Sequence, residues 1–319
     1  MHEISTARAG ATAIVVILAA GLALLAPGCQ TTQGSDSLSN QMLGDAPRGR
    51  ATDDSPKKRG VLWYRLALDD GRLDVHVRLI GPPPRTTFFL PGPWAGRDDF
   101  ARDININGAR GDSGPISFTI SRSEGRIDVD SEDTDWVELA YSVKLHPSGT
   151  GDVRFRPQIS EDMLFFYAPA VLVLPSEGLT RQVRDIPIEV HLPADWETLT
   201  TWPSVRRQRS SRSESTTVHG FVAANPTQLR DAYMAAAAGM DVHRSQLSDT
   251  SSLEVGFAPG FGSDRGALAK MLTRIVDAYV QNLGSIGDVH VLARALDDDS
   301  ERHSRGVGRR GGFVLELPS

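Results

Sequence analysis

From Val61 onward the chain alternates apolar and polar positions. Leu62, Tyr64, Leu66 and Leu68 share one face, Asp70-Gly71 offers a tight turn, and Leu73, Val75, Val77 and Leu79 alternate again, which predicts a β-hairpin. Further strands are predicted at Ile116 to Ile120, Arg126 to Asp130 and Ile186 to Leu192. The clearest lies in Asp135 to Leu145, where Val137, Leu139, Tyr141, Val143 and Leu145 fall on one side. Short strands, frequent turn signals and no helical stretch before about residue 225 make this an antiparallel β-sandwich.

The period then changes. Asn225-Pro226 supplies a cap and a first-turn proline, predicting a helix that runs through the alanines Ala235 to Ala238 and ends at Gly239. A second helix is predicted from a cap at Asp264, with Leu268, Met271, Leu272, Ile275, Val276, Tyr279, Val280 and Leu283 at helical spacing before Gly284. Strands at Leu253 to Phe257, Val289 to Ala295 and Phe313 to Leu317 surround it. The fold class is therefore mostly β, a sandwich over residues 60–204 followed by an incomplete α+β segment over 216–319, with an exposed Arg/Ser loop at 205–215 between them. The expectation at Ser319, where no closing element is seen, is of a domain cut short.

The amino terminus is of another kind. Ala11 to Ala26 is an unbroken apolar run, preceded by Arg8 and followed by Pro27-Gly28-Cys29. It has the three parts of an export signal and is short for a membrane span. Leu25 to Cys29 resembles a bacterial lipobox, although Ala26 stands where that pattern usually has leucine. The resemblance implies a signal peptide over 1–28 and lipidation at Cys29, the only cysteine in the chain. Membrane lipid is thus the first expected partner, in the cell envelope, and Gln30 after the cysteine favours the outer membrane. Residues 29–59 are polar and without periodicity, as in a flexible tether.

With Cys29 alone, the exported part has no internal disulfide and depends on burial for stability. A net charge of −6 gives no nucleic-acid footprint, so that partner is not expected.

The segment Pro91-Gly92-Pro93-Trp94-Ala95-Gly96-Arg97-Asp98-Asp99-Phe100-Ala101-Arg102 keeps the order proline, glycine, aromatic, arginine, acid, Phe-Ala-Arg. With Trp136 to Leu145, Ile186 to Trp196 and Phe221 to Gly239, it resembles the front part of the M61 glycyl aminopeptidases, gluzincin-type zinc metallopeptidases. That resemblance implies a β-sandwich leading into a catalytic domain, and Gly311 to Glu316 is loosely similar to the Gly-Gly-x-Glu strand that precedes the family's zinc helix. The helix itself requires His-Glu-x-x-His, whose two histidines face one ion. No two of the eight histidines, His2, His76, His146, His191, His219, His243, His290 and His303, lie four apart. The expected catalytic residues, metal ligands and cofactor are thus none as written, with zinc entering only through a further carboxy-terminal region. The main expectation is a non-catalytic, lipid-anchored relative of the peptidase front. One alternative is a fragment of a complete metallopeptidase.

Another alternative is an envelope scaffold that binds a protein or peptide through Trp94, Trp196 and Trp202, aromatics in or beside proline-rich turns, together with Arg97. His76, His191 and His290 are expected outward or at edges of strands. The acidic run Asp297 to Glu301 lacks calcium-loop spacing and reads as a solvated loop. No Gly-x-Ser-x-Gly elbow occurs, and Gly256 to Gly262 has no phosphate-loop cation.

Overall fold

The computed structural model describes residues 61–148, 155–181, 183–205, 216–295, 305–309 and 311–317. The signal, Cys29, the tether, most of the Arg/Ser tract and the acidic run lie outside these residues. In chain order the first strands are β1 (Val61–Asp69), β2 (Arg72–Ile80), β3 (Arg85–Phe89), β4 (Ile104–Gly111), β5 (Gly114–Pro115), β6 (Phe118–Ser121) and β7 (Arg126–Asp130). There follow β8 (Trp136–Lys144), β9 (His146–Pro147), β10 (Gln158–Ile159), β11 (Met163–Tyr167), β12 (Leu174–Pro175), β13 (Ile186–Pro193) and β14 (Trp196–Thr200). The last are β15 (Thr216–Ala223), β16 (Tyr233–Ala238), β17 (Asp241–Ser248), β18 (Ser251–Phe257), β19 (Val289–Ala295), β20 (Arg305–Arg309) and β21 (Gly312–Leu317). Helices are α1 (Ala168–Val171), α2 (Glu177–Thr180), α3 (Pro226–Arg230) and α4 (Arg265–Leu283).

The strands form four sheets. The first has the order β15-β13-β1-β2-β8-β4-β5, the second β14-β16-β11-β10-β9, the third β12-β3-β7-β6 and the fourth β17-β18-β19-β21-β20. The β1–β2 hairpin forms in the expected register, with Asp70 and Gly71 at φ 43° and 71°, the left-handed pair that a two-residue turn needs. Its inward row, Leu62, Tyr64, Leu66, Leu73, Val75 and Val77, packs with Val137, Leu139, Tyr141 and Val143 of β8 against the third sheet and one face of the second. Two tyrosines cross this core: Tyr64 Oη donates to Val173 O at 2.8 Å, and Tyr141 Oη accepts from Val173 N at 3.0 Å. Burial raises both phenol pKa values, Tyr64 also through Tyr141, so both stay neutral.

The mostly-β class holds, with three corrections to the sequence reading. The sandwich is not purely antiparallel, because β1 pairs β13 in parallel. It also does not end at residue 204: β15 pairs β13 and β16 pairs both β11 and β14, so the sandwich runs on to Ala238. The third correction concerns the first predicted helix, which stops at Arg230. Asn225 does cap it, its Oδ1 accepting from Gln228 N at 2.9 Å, but Tyr233–Ala238 is a strand. The alanines favour helix locally, yet β16 is buried on both faces, where small side chains let two layers close on it. Three single-turn elements, α1, α2 and a 3-10 turn at Phe100–Asp103, precede residue 225 as well.

The second helix forms as expected. Asp264 Oδ1 accepts from Ala267 N at 2.9 Å, Gly284 ends α4 at φ 82°, and Leu268, Leu272 and Val276 pack on the fourth sheet. That sheet's other face meets the second sheet through Met240, Ala258, Leu292 and Val314 against Phe165, Leu199 and Tyr233. Two glycines permit the approach. A Cβ on Gly256 would stand 2.8 Å from Leu199 Cδ2, and one on Gly312 2.6 Å from Tyr233 Cε1.

On the outer face of the first sheet, Glu138 is 2% exposed and held by Arg78 (Nη2 to Oε2, 2.7 Å), Arg110 (Nε to Oε1, 2.8 Å) and His76 (Nδ1 to Oε1, 3.1 Å). Arg78 also lies 4.4 Å from the centre of the Trp136 ring. Burial pushes the Glu138 pKa up, but the bonds from His76 and Arg78 and the charges of Arg78 and Arg110 outweigh it and bring it to about 2.

Two stability predictions follow from this packing. Gly312→Ala is expected to cost about 1–3 kcal/mol by overpacking between the second and fourth sheets, read from urea unfolding; an unchanged midpoint refutes the close-approach account. Glu138→Gln takes the carboxylate from the largely buried Arg78 and from the exposed Arg110, and is expected to cost about 1–3 kcal/mol at neutral pH, less than a fully buried pair because water screens Arg110. Because the folded-state pKa is depressed, the wild-type advantage is full above its ordinary value of 4.5 and fades as pH falls through about 2, measured as unfolding free energy against pH.

Candidate functional site

A cavity of about 810 Å³ opens where the fourth sheet meets the first and second. One wall is the end of β14 and the corner after it, with Glu197, Thr198 and Trp202; another is His219 to Phe221 of β15. Asn225, Gln228 and Asp231 contribute from α3 and its exit. The fourth sheet contributes Arg244, Glu254 and His290, which sit side by side because Arg244 pairs Glu254 and Glu254 pairs His290 in adjacent strand registers. Such a trio comes from three separated segments, and single-strand alternation gives no signal for it.

Glu254 accepts from Arg244 Nε at 2.8 Å and stands 3.4 Å from His290 Nδ1. Its pKa is lowered to about 2, first by His290 and then, against burial, by Arg244. Glu254 is therefore a fixed anion and no proton acceptor near neutrality. Ser252 Oγ donates to Asp288 Oδ1 at 2.7 Å rather than to a histidine. The cavity presents a polar, mixed-charge lining suited to holding a small polar molecule, with no nucleophile and ring base paired among the described residues.

The motif from Pro91 to Arg102 builds a different structure. Trp94 and Arg97 exchange two backbone hydrogen bonds, 2.7 and 2.9 Å, around Ala95 and Gly96 at φ 52° and 76°. The Trp94 ring packs 4.8 Å from Tyr167, 5.5 Å from Phe155 and 6.0 Å from Phe100. Arg97 donates to Asp99, and Arg156 bridges Asp99 and Asp103, beside which His146 Nε2 stands at 3.1 Å. The bond from Arg97 is the first cause of a lowered Asp99 pKa, and Arg156 adds to it. The segment is a knot that seats a partly buried tryptophan on the second sheet.

The four residues proposed as a binding surface do not gather into one. Trp196 is 7% exposed and Trp202 1%, so both are corrected from surface anchors to core residues. Trp202 donates its Nε1 proton to Leu229 O at 3.1 Å and packs between Phe166 and Phe221, since an indole at the rim of a two-layer core buries more than it exposes. Trp94 and Arg97 lie in the knot. His76, His191 and His290 do sit outward on strands, each beside a carboxylate: Glu138, Glu189 and Glu254.

Among the described residues no group of three His, Cys, Asp or Glu side chains is placed to hold a metal ion. The donor chemistry agrees: the carboxylates beside His76, His146, His243 and His290 are also paired with Arg78, Arg156, Arg265 and Arg244, whose charge opposes a second cation. These residues do not fit a catalytic zinc.

No protein-family model matches this chain, and no curated protein matches it. Solved structures do. An aminopeptidase N family protein from Idiomarina loihiensis aligns at TM-score 0.61 and 17% identity, covering 80% of this chain and 42% of that one. An M1 zinc metallopeptidase from Deinococcus radiodurans aligns at TM-score 0.50 and 13% identity, and a point mutant of it bound to a Tyr-Ser-Ala substrate at 0.51 and 12%; each alignment covers 81% of this chain and 59% of the other. The chain thus spans about half the length of these proteins. Its sandwich and α+β segment share the fold of the aligned part of that aminopeptidase N family protein and of the M1 zinc metallopeptidase.

Proposed function

We propose that this chain is the membrane-anchored, non-catalytic front part of a gluzincin-type metallopeptidase-like protein. The observation that carries this reading is that one alignment runs through both the sandwich and the α+β segment, over 80% of the chain. The sandwich, β1 to β16, would position a peptidase domain of which β17 to β21 and α4 form the opening. The M61 branch is supported by the Pro91 to Arg102 motif, whose Trp94, Arg97, Asp99 and Phe100 all take part in the knot. The alternative of a complete peptidase, with this chain as a fragment, rests on the same alignment and would place the zinc ligands in a further region of the protein. Attachment is through lipid on Cys29, with the protein held in the cell envelope, at the outer membrane.

Two experiments test the two halves of this reading. Radiolabelled palmitate is expected to enter the wild-type chain and not Cys29→Ser, which should move from the membrane pellet to the soluble fraction; equal labelling of both defeats the anchor. Purified protein covering residues 61–319 with added zinc is expected to release no product from aminoacyl p-nitroanilides above a buffer blank. Hydrolysis that a chelator abolishes would establish the enzyme instead.

A further inference from the structure

The end of the first sheet at which the described chain begins carries an arginine-rimmed groove around an exposed aromatic ring. Val61 pairs Ile80 at this end. Three residues before the Tyr64–Ile188 pair of the parallel β1–β13 ladder, Val61 stands level with Asp185. Ile186 pairs Ala223, so Arg184 and the start of α3 lie at the same end. Two adjoining grooves, of about 610 and 770 Å³, share Phe89, which at 44% is one of the few large apolar side chains exposed among the described residues. Their lining includes Arg85, Arg126, Arg181, Arg184 and Arg230, all exposed, against the acids Glu124 and Glu177.

The pairing within this surface leaves the balance positive. Arg126 is neutralised by Glu124 at 2.9 Å and Asp128 at 3.1 Å. Arg184 Nη1 donates to the carbonyls of Arg181 and Val183 at 3.0 and 2.8 Å, which fixes the guanidinium without cancelling its charge. Arg230 reaches Asp231 only at 3.9 Å, and both side chains are part exposed. Leu174, Pro175 and Pro226 floor the groove beside Phe89.

We propose that this groove is a docking surface for anionic phospholipid headgroups, with Phe89 set at the depth of the headgroup region and Arg181, Arg184 and Arg230 facing phosphates. Two features select a bilayer over other anionic partners. The charge is complementary to an anionic leaflet, and it surrounds an apolar ring, the combination by which peripheral proteins sit at an interface. The chain that leads to Cys29 joins the fold at Val61, on this same end, so a lipidated terminus would present these arginines to the membrane. The proposal rests on the membrane attachment proposed above for its orientation.

The test uses the mature chain with Cys29→Ser, so that the groove acts without acyl chains and a failed palmitate experiment is read separately. Co-sedimentation with phosphatidylcholine vesicles containing phosphatidylglycerol is expected, with little on phosphatidylcholine alone and loss at high salt. Removing Arg181, Arg184 or Arg230 as alanine variants should weaken binding about fivefold each, and Phe89→Ser should weaken it further at unchanged salt sensitivity. Circular dichroism verifies that these surface variants fold. Equal binding to both vesicle types overturns the proposal. So does full retention in the triple alanine variant with loss in a variant of Lys57, Lys58 and Arg59, which would move the site to the tether. Capture by an acidic peptide without vesicle binding also overturns it and points to a protein partner.

Discussion

Everything in this fold depends on one layer being buried from both sides. Strands β11 and β16 have the first sheet on one face and the fourth sheet on the other, and nearly every side chain in Met163–Tyr167 and Tyr233–Ala238 is out of water. A layer in that position has no solvated face to carry polar residues, so its sequence is a run rather than an alternation. It also sets the spacing between the sandwich and the α+β segment. Alanines on β16 and the bare backbone of Gly256 and Gly312 bring the flanking sheets in, while Arg294 ties them, donating to Gln158 of the second sheet and to Glu316 of its own.

This explains what could be read in the sequence. Elements with one wet face were legible: the β1–β2 hairpin, β8 and α4 each show their period, and the cap at Asp264 stands where the side chain predicted it. Tyr233–Ala238 was not, because an alanine run carries helical propensity in the chain and strand geometry only in the layered context. The pairing of β13 beside β1 was hidden for a second reason. It joins strands more than a hundred residues apart, and nothing local in Ile186–Pro193 says whether its neighbour runs parallel.

Site residues were legible to a lesser degree. The tryptophans were visible as unusual residues near prolines, but whether an indole faces a partner or a core is decided by the layer behind it, and for Trp202 that layer includes Phe166 and Phe221. The junction cavity needed β14, β15, β18, β19 and α3 together. His76, His146, His243 and His290 share a theme: a ring next to a carboxylate that an arginine already holds, as with His76 and Glu138 or His290 and Glu254. Such groups fix strand registers across sheet faces, and their electrostatics are closed.

The parallel pairing of β1 has a mechanical side. The first described strand is not at an edge; β2 pairs with it from Val61 to Asp69, and β13 pairs with its middle, Tyr64 to Ala67. Ladder bonds run across the strand direction. Tension entering at Val61 along β1 would therefore load two ladders in shear at once, where an edge strand pulled the same way would load only one. The chain joins this domain at a place built to bear a pull.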